Sequence, residues 1–293
     1  MSFRSRLAQA IADHTNQELI TPTGVDGLTL YRSETLLPRQ PMVYEPSICV
    51  IAQGQKLLQI GDQSYSYDQD NYLINSVTMP IEAEVAGVTK DQPYLGLSLK
   101  IDSYVVSQLM LEMEQFHPQT EQPAEPGLVT SCALSEALVS SIVRLIECSA
   151  DPMDRQVLAP GLIREIFYEV LKGPHGALLR NCVVNHMGAN RIAPVIRYIE
   201  QNFANQLDID SIADMAGMSS SSLHEHFKQA TSLSPMQFVK KLRLHSAYSM
   251  LLTGNQASDA AYQVGYSSPS QFSREFKRFF GSSPSDIQPF GAR

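Results

Sequence analysis

The last hundred residues contain one pattern twice, and this repeat constrains the fold more than any other feature of the chain. Ala213 is followed four residues later by Gly217, and Ala261 is followed by Gly265 at the same distance. Each glycine precedes Met-Ser or Tyr-Ser, and each copy then has a Phe-Lys pair and a proline eight residues after that phenylalanine. Such self-similarity indicates two copies of one supersecondary unit.

The positions of the repeat suit a helix-turn-helix unit. Its alanines let two helices approach closely, and its glycines follow a first helix where the chain turns left-handed. Ser219, and Ser267 or Ser268, accept hydrogen bonds from the free N–H groups of a second helix. A second helix placed in this way is free to enter the major groove of DNA. We therefore expect units at about 209–230 and 257–280.

A long helix joins the two units. Ser234-Pro235 is typical of an N-cap followed by a first-turn proline. The apolar stripe of this helix consists of Phe238, Leu242, Ala247 and Leu251. A rigid helix fixes the separation of the two recognition helices. Successive major grooves on one face of B-DNA lie ~34 Å apart, so one monomer could read both.

Charge divides the chain into two parts. Residues 190–293 carry ten Lys/Arg and eight Asp/Glu, whereas the whole chain of 293 residues has a net charge of −8, so the N-terminal part is acidic. This balance argues against a protein that coats DNA non-specifically. The four cysteines show neither a CxxC pair nor metal spacing, which disfavours a zinc finger and fits a cytoplasmic protein. No apolar run reaches the ~20 residues of a membrane helix, so we expect no membrane partner.

The N-terminal part contains a strand-rich region between helices. Residues 3–18 predict an amphipathic helix. Between about residues 28 and 101, short apolar or alternating runs are separated by Gly, Pro, Asn and Asp, which is typical of a β-sandwich or barrel. Residues 60–63 fit a two-residue hairpin turn. Further helices are expected at 134–148 and 153–172, after a Pro-rich polar loop.

The C-terminal hundred residues resemble the AraC-type (arabinose-regulator) DNA-binding domain. The resemblance rests on the two repeat copies, on Arg243-Leu244-x2-Ala247, and on the final motif F-S-R-x-F-K-R-x-F-G-x-S-P. It implies seven helices, two helix-turn-helix motifs and sequence-specific control of transcription.

The N-terminal part is similar to the sensor half of one AraC subfamily, through Tyr44-x-Pro46 and Gly54-x-Lys56 among other motifs. This resemblance implies a cupin-like β-barrel followed by helices. The expected fold class is therefore α+β with two domains. Residues 1–186 form a cupin-like effector-sensing and dimerisation domain with a helical second half, and residues 187–293 form an all-α DNA-binding domain. The boundary lies near 186–190.

The family pattern places recognition helices at about 219–230 and 268–280. Their outward positions are the expected DNA contacts: Ser220, Ser221, His224, Glu225, Lys228, Ser268, Pro269, Ser270, Gln271, Arg274 and Lys277. Arg274 can bond both acceptors of a guanine, and Gln271 can read an adenine. Lys228 and Lys277 suit phosphates. Glu225 stands where the family often has a large or basic reader; it either accepts from cytosine N4 or is a solvated acid.

Candidate effector contacts lie in the strand-rich region: Tyr44, Cys49, Lys56, Tyr72 and Tyr94. A tyrosine offers a ring and one hydroxyl, and Lys56 could pair with an anionic ligand. Cys49 is either an electrophile-sensitive thiol or an inert buried residue. The alternatives are strand-face packing for the tyrosines and a surface position for Lys56. None of the seven histidines falls within residues 28–101, so we expect neither a metal nor another cofactor.

We therefore expect a cytoplasmic transcription regulator, an activator or a repressor, and not an enzyme. Its expected partners are double-stranded DNA, an unknown small-molecule effector and a second copy of the chain in a homodimer; RNA polymerase is a candidate partner. The alternatives are a cupin-type enzyme with a DNA-binding tail and a ligand-independent DNA-binding protein. An apolar stripe at 138–146 either pairs two chains or packs on the barrel.

Overall fold

A computed structural model describes residues 2–15, 19–60, 63–114, 129–174, 176–184, 192–231 and 233–287. The strands within these residues are β1 Leu19–Pro22, β2 Leu28–Ser33, β3 Leu37–Tyr44, β4 Ser47–Gln53, β5 Gln55–Ile60, β6 Gln63–Asp68, β7 Asn71–Asn75, β8 Met79–Ala86, β9 Tyr94–Lys100 and β10 Val129–Ala133. The helices of the N-terminal part are α1 Phe3–His14, α2 Ser103–Glu114, α3 Glu136–Cys148, α4 Pro152–Val157, α5 Ala159–Lys172 and α6 Gly176–Val184. Those of the C-terminal part are α7 Ile192–Asn202, α8 Ile209–Met215, α9 Ser220–Thr231, α10 Pro235–Leu252, α11 Ala257–Gln263 and α12 Pro269–Phe280, followed by a 3-10 turn at Pro284–Asp286.

The strands form two antiparallel sheets, which confirms the strand-rich N-terminal domain. The larger sheet has the order β1-β2-β9-β4-β7-β10, and the smaller has the order β3-β8-β5-β6. β1 and β10 are additions that the sequence pattern does not predict. In the hairpin β5–β6, Ile60 pairs with Gln63, and the two turn residues between them lie outside the described residues.

Side chains of the larger sheet alternate between two cores. Ile48 and Val50 of β4 belong to the core that the sheet shares with α1, α3 and α5. Cys49 and Ile51 belong to the other core, between the two sheets. This alternation follows from the period of two along a strand.

The helices of the N-terminal part cover the outer face of the larger sheet. The apolar stripe of α3 is buried there: Leu138, Ile142, Leu145 and Ile146 are each at most 2% exposed. Of the two interpretations of this stripe, the structure shows packing within the chain. The helix expected at 153–172 is two helices, because Leu158 ends α4 and Pro160 in the first turn of α5 has no N–H to continue it.

The described elements of the C-terminal part are all helices, which confirms the all-α fold expected for it. Its two helix pairs, α8–α9 and α11–α12, are joined by the long helix α10. α10 also packs against β3 and β8, so the helical part docks on the smaller sheet. The boundary expected near 186–190 lies outside the described residues. Among the described helices, none combines the length and apolar character of a bilayer span.

Candidate DNA interface and effector cavity

The first helix-turn-helix unit is α8–α9. Gly217 has φ +63° at the turn, and Ala213 is buried where the helices meet. The Ser219 hydroxyl caps α9 by accepting a hydrogen bond from the Ser222 N–H at 3.2 Å. Phe227 is fully buried on the inner face of α9. The local roles that the repeat predicts are therefore present.

The outer face of α9 carries the first set of predicted DNA contacts. Four of them are exposed on one helix face: Ser221, His224, Glu225 and Lys228. Ser220 is half-buried, and its hydroxyl donates a hydrogen bond to the Asp210 carboxylate, so it is turned toward α8. His226 is also exposed, and its ring nitrogen lies 2.8 Å from the Ser222 carbonyl oxygen.

The second unit, α11–α12, is anchored to the loop that follows α7. Gly265 has φ +90°, and a Cβ added there would lie 2.1 Å from the Ala204 carbonyl oxygen. Arg243 of α10 donates to the carbonyls of Phe203 at 2.6 Å and Asn205 at 2.8 Å. The glycine and the arginine thus contact the same segment, residues 203–205, of the loop between α7 and α8.

The outer face of α12 carries the second set of predicted contacts. Ser270, Gln271, Arg274 and Lys277 are exposed. Ser268 and Pro269 are half-buried, and the Ser268 hydroxyl is engaged in capping α12. The cap explains why this serine starts the helix, and it leaves the next residues to face outward.

Glu275 organises this face, and sequence reasoning missed it. Its carboxylate accepts hydrogen bonds from Lys240 of α10 at 2.9 Å, from the Tyr266 hydroxyl at 3.1 Å and from the Gln271 amide at 3.3 Å. Burial opposes ionisation, but these three donors lower the pKa of Glu275. One N–H of the Gln271 side-chain amide is thereby hydrogen-bonded to Glu275. The oxygen and the second N–H of that amide stay available to a DNA base.

A second contact joins α10 to α12. The Tyr248 ring stacks on the Phe280 ring with 4.9 Å between centroids, and the His245 ring lies 5.5 Å from that of Phe279. Burial and the nearby Lys241 ammonium lower the pKa of His245 to about 3, so this imidazole is neutral. The joining helix is thus fixed to the second recognition helix by rings as well as by the ion pair.

A cavity of about 320 Å³ opens into the space between the two sheets. Four of the five predicted effector contacts line it: Tyr44, Cys49, Lys56 and Tyr94. Tyr31 and Tyr67 also line it and were missed, because only the register of the strands shows which tyrosines share a face.

Tyr72 is not part of the cavity. It lies opposite Val50 in the β4–β7 pairing, and both residues face the core under the helices. The prediction of Tyr72 as an effector contact therefore conflicts with the fold, since its ring lies on the other side of the larger sheet.

Lys56 is one of two lysines that line this cavity, the other being Lys100. The Lys56 ammonium lies 5.1 Å from the centroid of the Tyr44 ring and 6.0 Å from that of Tyr31. Burial lowers its pKa to about 8. Burial also disfavours the charged form of the tyrosines. It raises the pKa of Tyr44 and of Tyr94, so both phenols stay neutral at physiological pH.

Cys49 lies at the floor of the cavity. It is 7% exposed, and burial raises the pKa of its thiol. Its sulfur lies 3.6 Å from the Ser47 hydroxyl. A protonated, buried thiol fits the inert interpretation better than the electrophile-sensitive one.

A second cavity, of about 340 Å³, lies between the smaller sheet and α10. The two cavities share Tyr31, Met42, Val43, Lys56 and Tyr94. The far wall of the second cavity is formed by α10 and its C-cap: Tyr248, Ser249, Leu252 and the cap residue Thr253. The groups around Lys56 therefore border both the barrel interior and the helix that joins the two helix-turn-helix units.

Comparison with known families decides the assignment of the whole chain. Residues 24–178 match the family described as AraC-type transcriptional regulator N-terminus, and residues 212–288 match a helix-turn-helix domain. The chain belongs to the AraC-type transcriptional regulators.

Two relatives show how far this AraC-type similarity extends. The transcriptional activator RhaS of Citrobacter koseri is 31% identical over 187 residues, which cover 62% of this chain and 64% of that protein. RhaS of Escherichia coli O9:H4 is 37% identical over 102 residues, which cover 34% of this chain and 36% of that protein. The matched stretches thus span less than two thirds of these relatives.

Solved structures extend the similarity in fold to both domains of the AraC-type chain. An apo form of ToxT from Vibrio cholerae, 12% identical, superposes with a TM-score of 0.60 and covers 92% of this chain and 98% of its own. ToxT bound to an unsaturated fatty acid, 14% identical, superposes with a TM-score of 0.55 and covers 88% and 93%. At this identity the likeness concerns the fold alone.

The described residues contain no cluster of metal ligands. No three His, Cys, Asp or Glu side chains within them come close enough together to hold an ion. His117, His175 and His186 lie outside these residues.

Proposed function

We propose that this protein is a cytoplasmic transcription regulator that binds specific DNA sites through α9 and α12. It acts by binding rather than by catalysis, with domains at about 1–186 and 187–293. The main support is that one helix, α10, joins two helix pairs, and the outer faces of α9 and α12 are polar and exposed. Arg274 and Gln271 read bases, and Lys228 and Lys277 contact phosphates.

A small molecule bound beside Lys56, where the two cavities share lining residues, controls the two recognition helices. Support comes from Tyr248, which borders the cavity between the barrel and α10 and stacks on Phe280 of α12. Lys241 of α10 also approaches Glu82 of β8, with 4.0 Å between nitrogen and oxygen. A ligand that contacts Tyr248 more favourably in one docking of α10 than in another shifts the populations of the two arrangements.

A homodimer and contact with RNA polymerase complete the proposal. The stripe on α3 is buried within the chain, so pairing would use other apolar side chains. Three of these are exposed at the start of the α4–α5 segment: Met153, Val157 and Leu158. A dimer doubles the number of half-sites that are read.

The proposal is tested by mapping the protein's binding across the genome of its host. We expect a few sharp sites, each with two base-specific elements ~10–11 bp apart, because one monomer reads two successive major grooves. Even coating of the DNA, or the absence of discrete sites, would contradict it. The genes beside the sites then indicate which small molecules to test as effectors.

A further inference from the structure

Lys56 has an unusual set of neighbours for a lysine. Among the described residues no carboxylate lies within ion-pair distance of it, because the acids around the barrel are bound elsewhere. Glu45 pairs with Lys100 at 3.0 Å, Glu84 lies 3.8 Å from Arg39, and Glu82 faces Lys241. The ammonium rests instead on the faces of two tyrosine rings, inside a cavity.

An amine in such surroundings is a better nucleophile than an exposed lysine. Burial without a counter-ion increases the fraction of neutral amine, which carries the reactive lone pair. At a pKa of about 8, roughly a tenth of the Lys56 side chains are neutral at pH 7, a few hundred times more than for an ordinary lysine. At the nearby Cys49, burial raises the pKa of the thiol and so reduces the fraction of reactive thiolate. The amine is therefore the reactive group of the cavity.

We propose that Lys56 forms a reversible imine with a small aldehyde whose apolar body fills the cavity beside it, and that this aldehyde is the effector. The inference rests on the proposed regulatory function for its biological meaning and names the ligand class of the same site.

The reaction needs no oxidant or reductant. The neutral Lys56 nitrogen adds to the carbonyl carbon, and a proton moves to the carbonyl oxygen to give a carbinolamine. The carbinolamine hydroxyl takes a proton from solvent and leaves as water, while the nitrogen lone pair forms the C=N bond. The nitrogen keeps its remaining hydrogen, so the product is a protonated imine with its positive charge near the Tyr44 ring. Water in the open cavity reverses the reaction, so the bond reports the concentration of aldehyde.

The surrounding side chains suit these steps. The raised pKa values of Tyr44, Tyr67 and Tyr94 keep their hydroxyls protonated, so the phenols can donate hydrogen bonds to a carbonyl oxygen or a departing water. Beyond the lysine, Met42 and Val43 border both cavities, and Leu252 lies on the α10 side. An aldehyde with an aromatic or short alkyl body would thus have its polar end at Lys56 and its apolar end toward α10.

The test is reductive trapping on the full-length protein at pH 7 with benzaldehyde and sodium cyanoborohydride, followed by peptide mass spectrometry. We expect the benzyl adduct at Lys56 to exceed that at the exposed Lys90 and Lys277 at least ~10-fold, because of its larger neutral fraction. Benzoate, which cannot form an imine, is the comparison ligand. Equal labelling of the three lysines would overturn the inference.

A Lys56→Arg variant keeps the positive charge but cannot form the imine. We expect it to lose the increase in melting temperature that benzaldehyde produces in the wild type. If it keeps that increase, or if benzoate stabilises the wild type as well as benzaldehyde does, the site is a non-covalent one and the inference fails. Because the wild-type labelling is independent of the variant, poor folding of the variant leaves the test decisive.

DNA binding is measured on the same wild-type preparation. Sharp DNA sites without preferential labelling of Lys56 would overturn the aldehyde inference alone. Loss of specific DNA binding would overturn the regulator itself, whatever the labelling shows.

Discussion

The Tyr248 ring stacks on the Phe280 ring, with 4.9 Å between the centroids and 26° between the planes. The two residues belong to different helices, α10 and α12, and Tyr248 also borders the cavity shared with the smaller sheet. This pair therefore connects the wall of the cavity to the second recognition helix through direct contact.

Replacing Tyr248 should loosen both sides of this contact. In Tyr248→Ala we expect faster amide hydrogen exchange in α12 and in β3 and β8, together with ~1–3 kcal/mol less stability, because a half-buried ring and its stacking are lost. Tyr248→Phe keeps the ring and is the control, with little change. Unchanged exchange in α12 of the alanine variant would show that the stack does not connect the two parts.

The two turn glycines of the repeat should differ in their tolerance of a side chain. At Gly265 an added Cβ meets the Ala204 carbonyl oxygen. At Gly217 no heavy atom of the described residues, apart from the adjoining ones, lies within 4 Å of the added Cβ. Both glycines have positive φ, so alanine at either position must adopt a left-handed conformation, which costs about 1 kcal/mol of stability. We expect Gly217→Ala to lose about that amount and Gly265→Ala to lose more than ~3 kcal/mol.

Urea unfolding of the two glycine variants measures this difference. Each variant serves as the control for the other, since the substitution and the type of turn are the same. Equal losses of unfolding free energy would mean that the close approach of Gly265 to residue 204 does not add to the destabilisation.

The buried His245 should make stability depend on pH. Its ring is 2% exposed, and neither nitrogen has a hydrogen-bond partner among the described residues. Its pKa is lowered from 6.5 in the unfolded chain to about 3 by burial and by Lys241. The neutral form thus favours folding above pH 6.5, and this stability is lost as the pH falls from 6.5 toward 3.

His245→Leu should flatten that dependence. Between pH 4 and 6 we expect the slope of unfolding free energy against pH to fall by up to ~1.4 kcal/mol per unit, the limit for one proton. Removing two unpaired polar atoms should leave the variant as stable as the wild type at pH 8. His226→Ala, at an exposed position, is the control. An unchanged slope in His245→Leu would contradict the assigned burial.

Much of the fold could be predicted because it depends on local spacing. The Ala-to-Gly distance, the serine caps and the phenylalanine positions define the helix pairs, and they appear twice. The exposed faces of α9 and α12 follow from the same helical period. Local patterns therefore predict the two helix-turn-helix units and most of the residues that are exposed on their second helices.

The parts that could not be predicted depend on contacts between distant segments. Tyr72 and Tyr94 look alike in sequence, but the strand register places them on opposite faces of the larger sheet. Glu275 becomes the centre of a network only because α10 brings Lys240 to it. The second cavity exists only where α10 docks on the barrel.

In the proposed function, α12 reads bases while neighbouring cations contact the phosphates. On a site identified by genome-wide mapping, affinities of Arg274→Ala and Lys277→Ala are measured over a salt series and on single-base variants of the site. Arg274→Ala should lose ~1–3 kcal/mol of affinity and relax the preference at one base pair. Lys277→Ala should weaken binding to all sites alike and reduce the salt slope by ~1. An Arg274→Ala protein that keeps the full base preference would contradict the assignment of α12 as the reader.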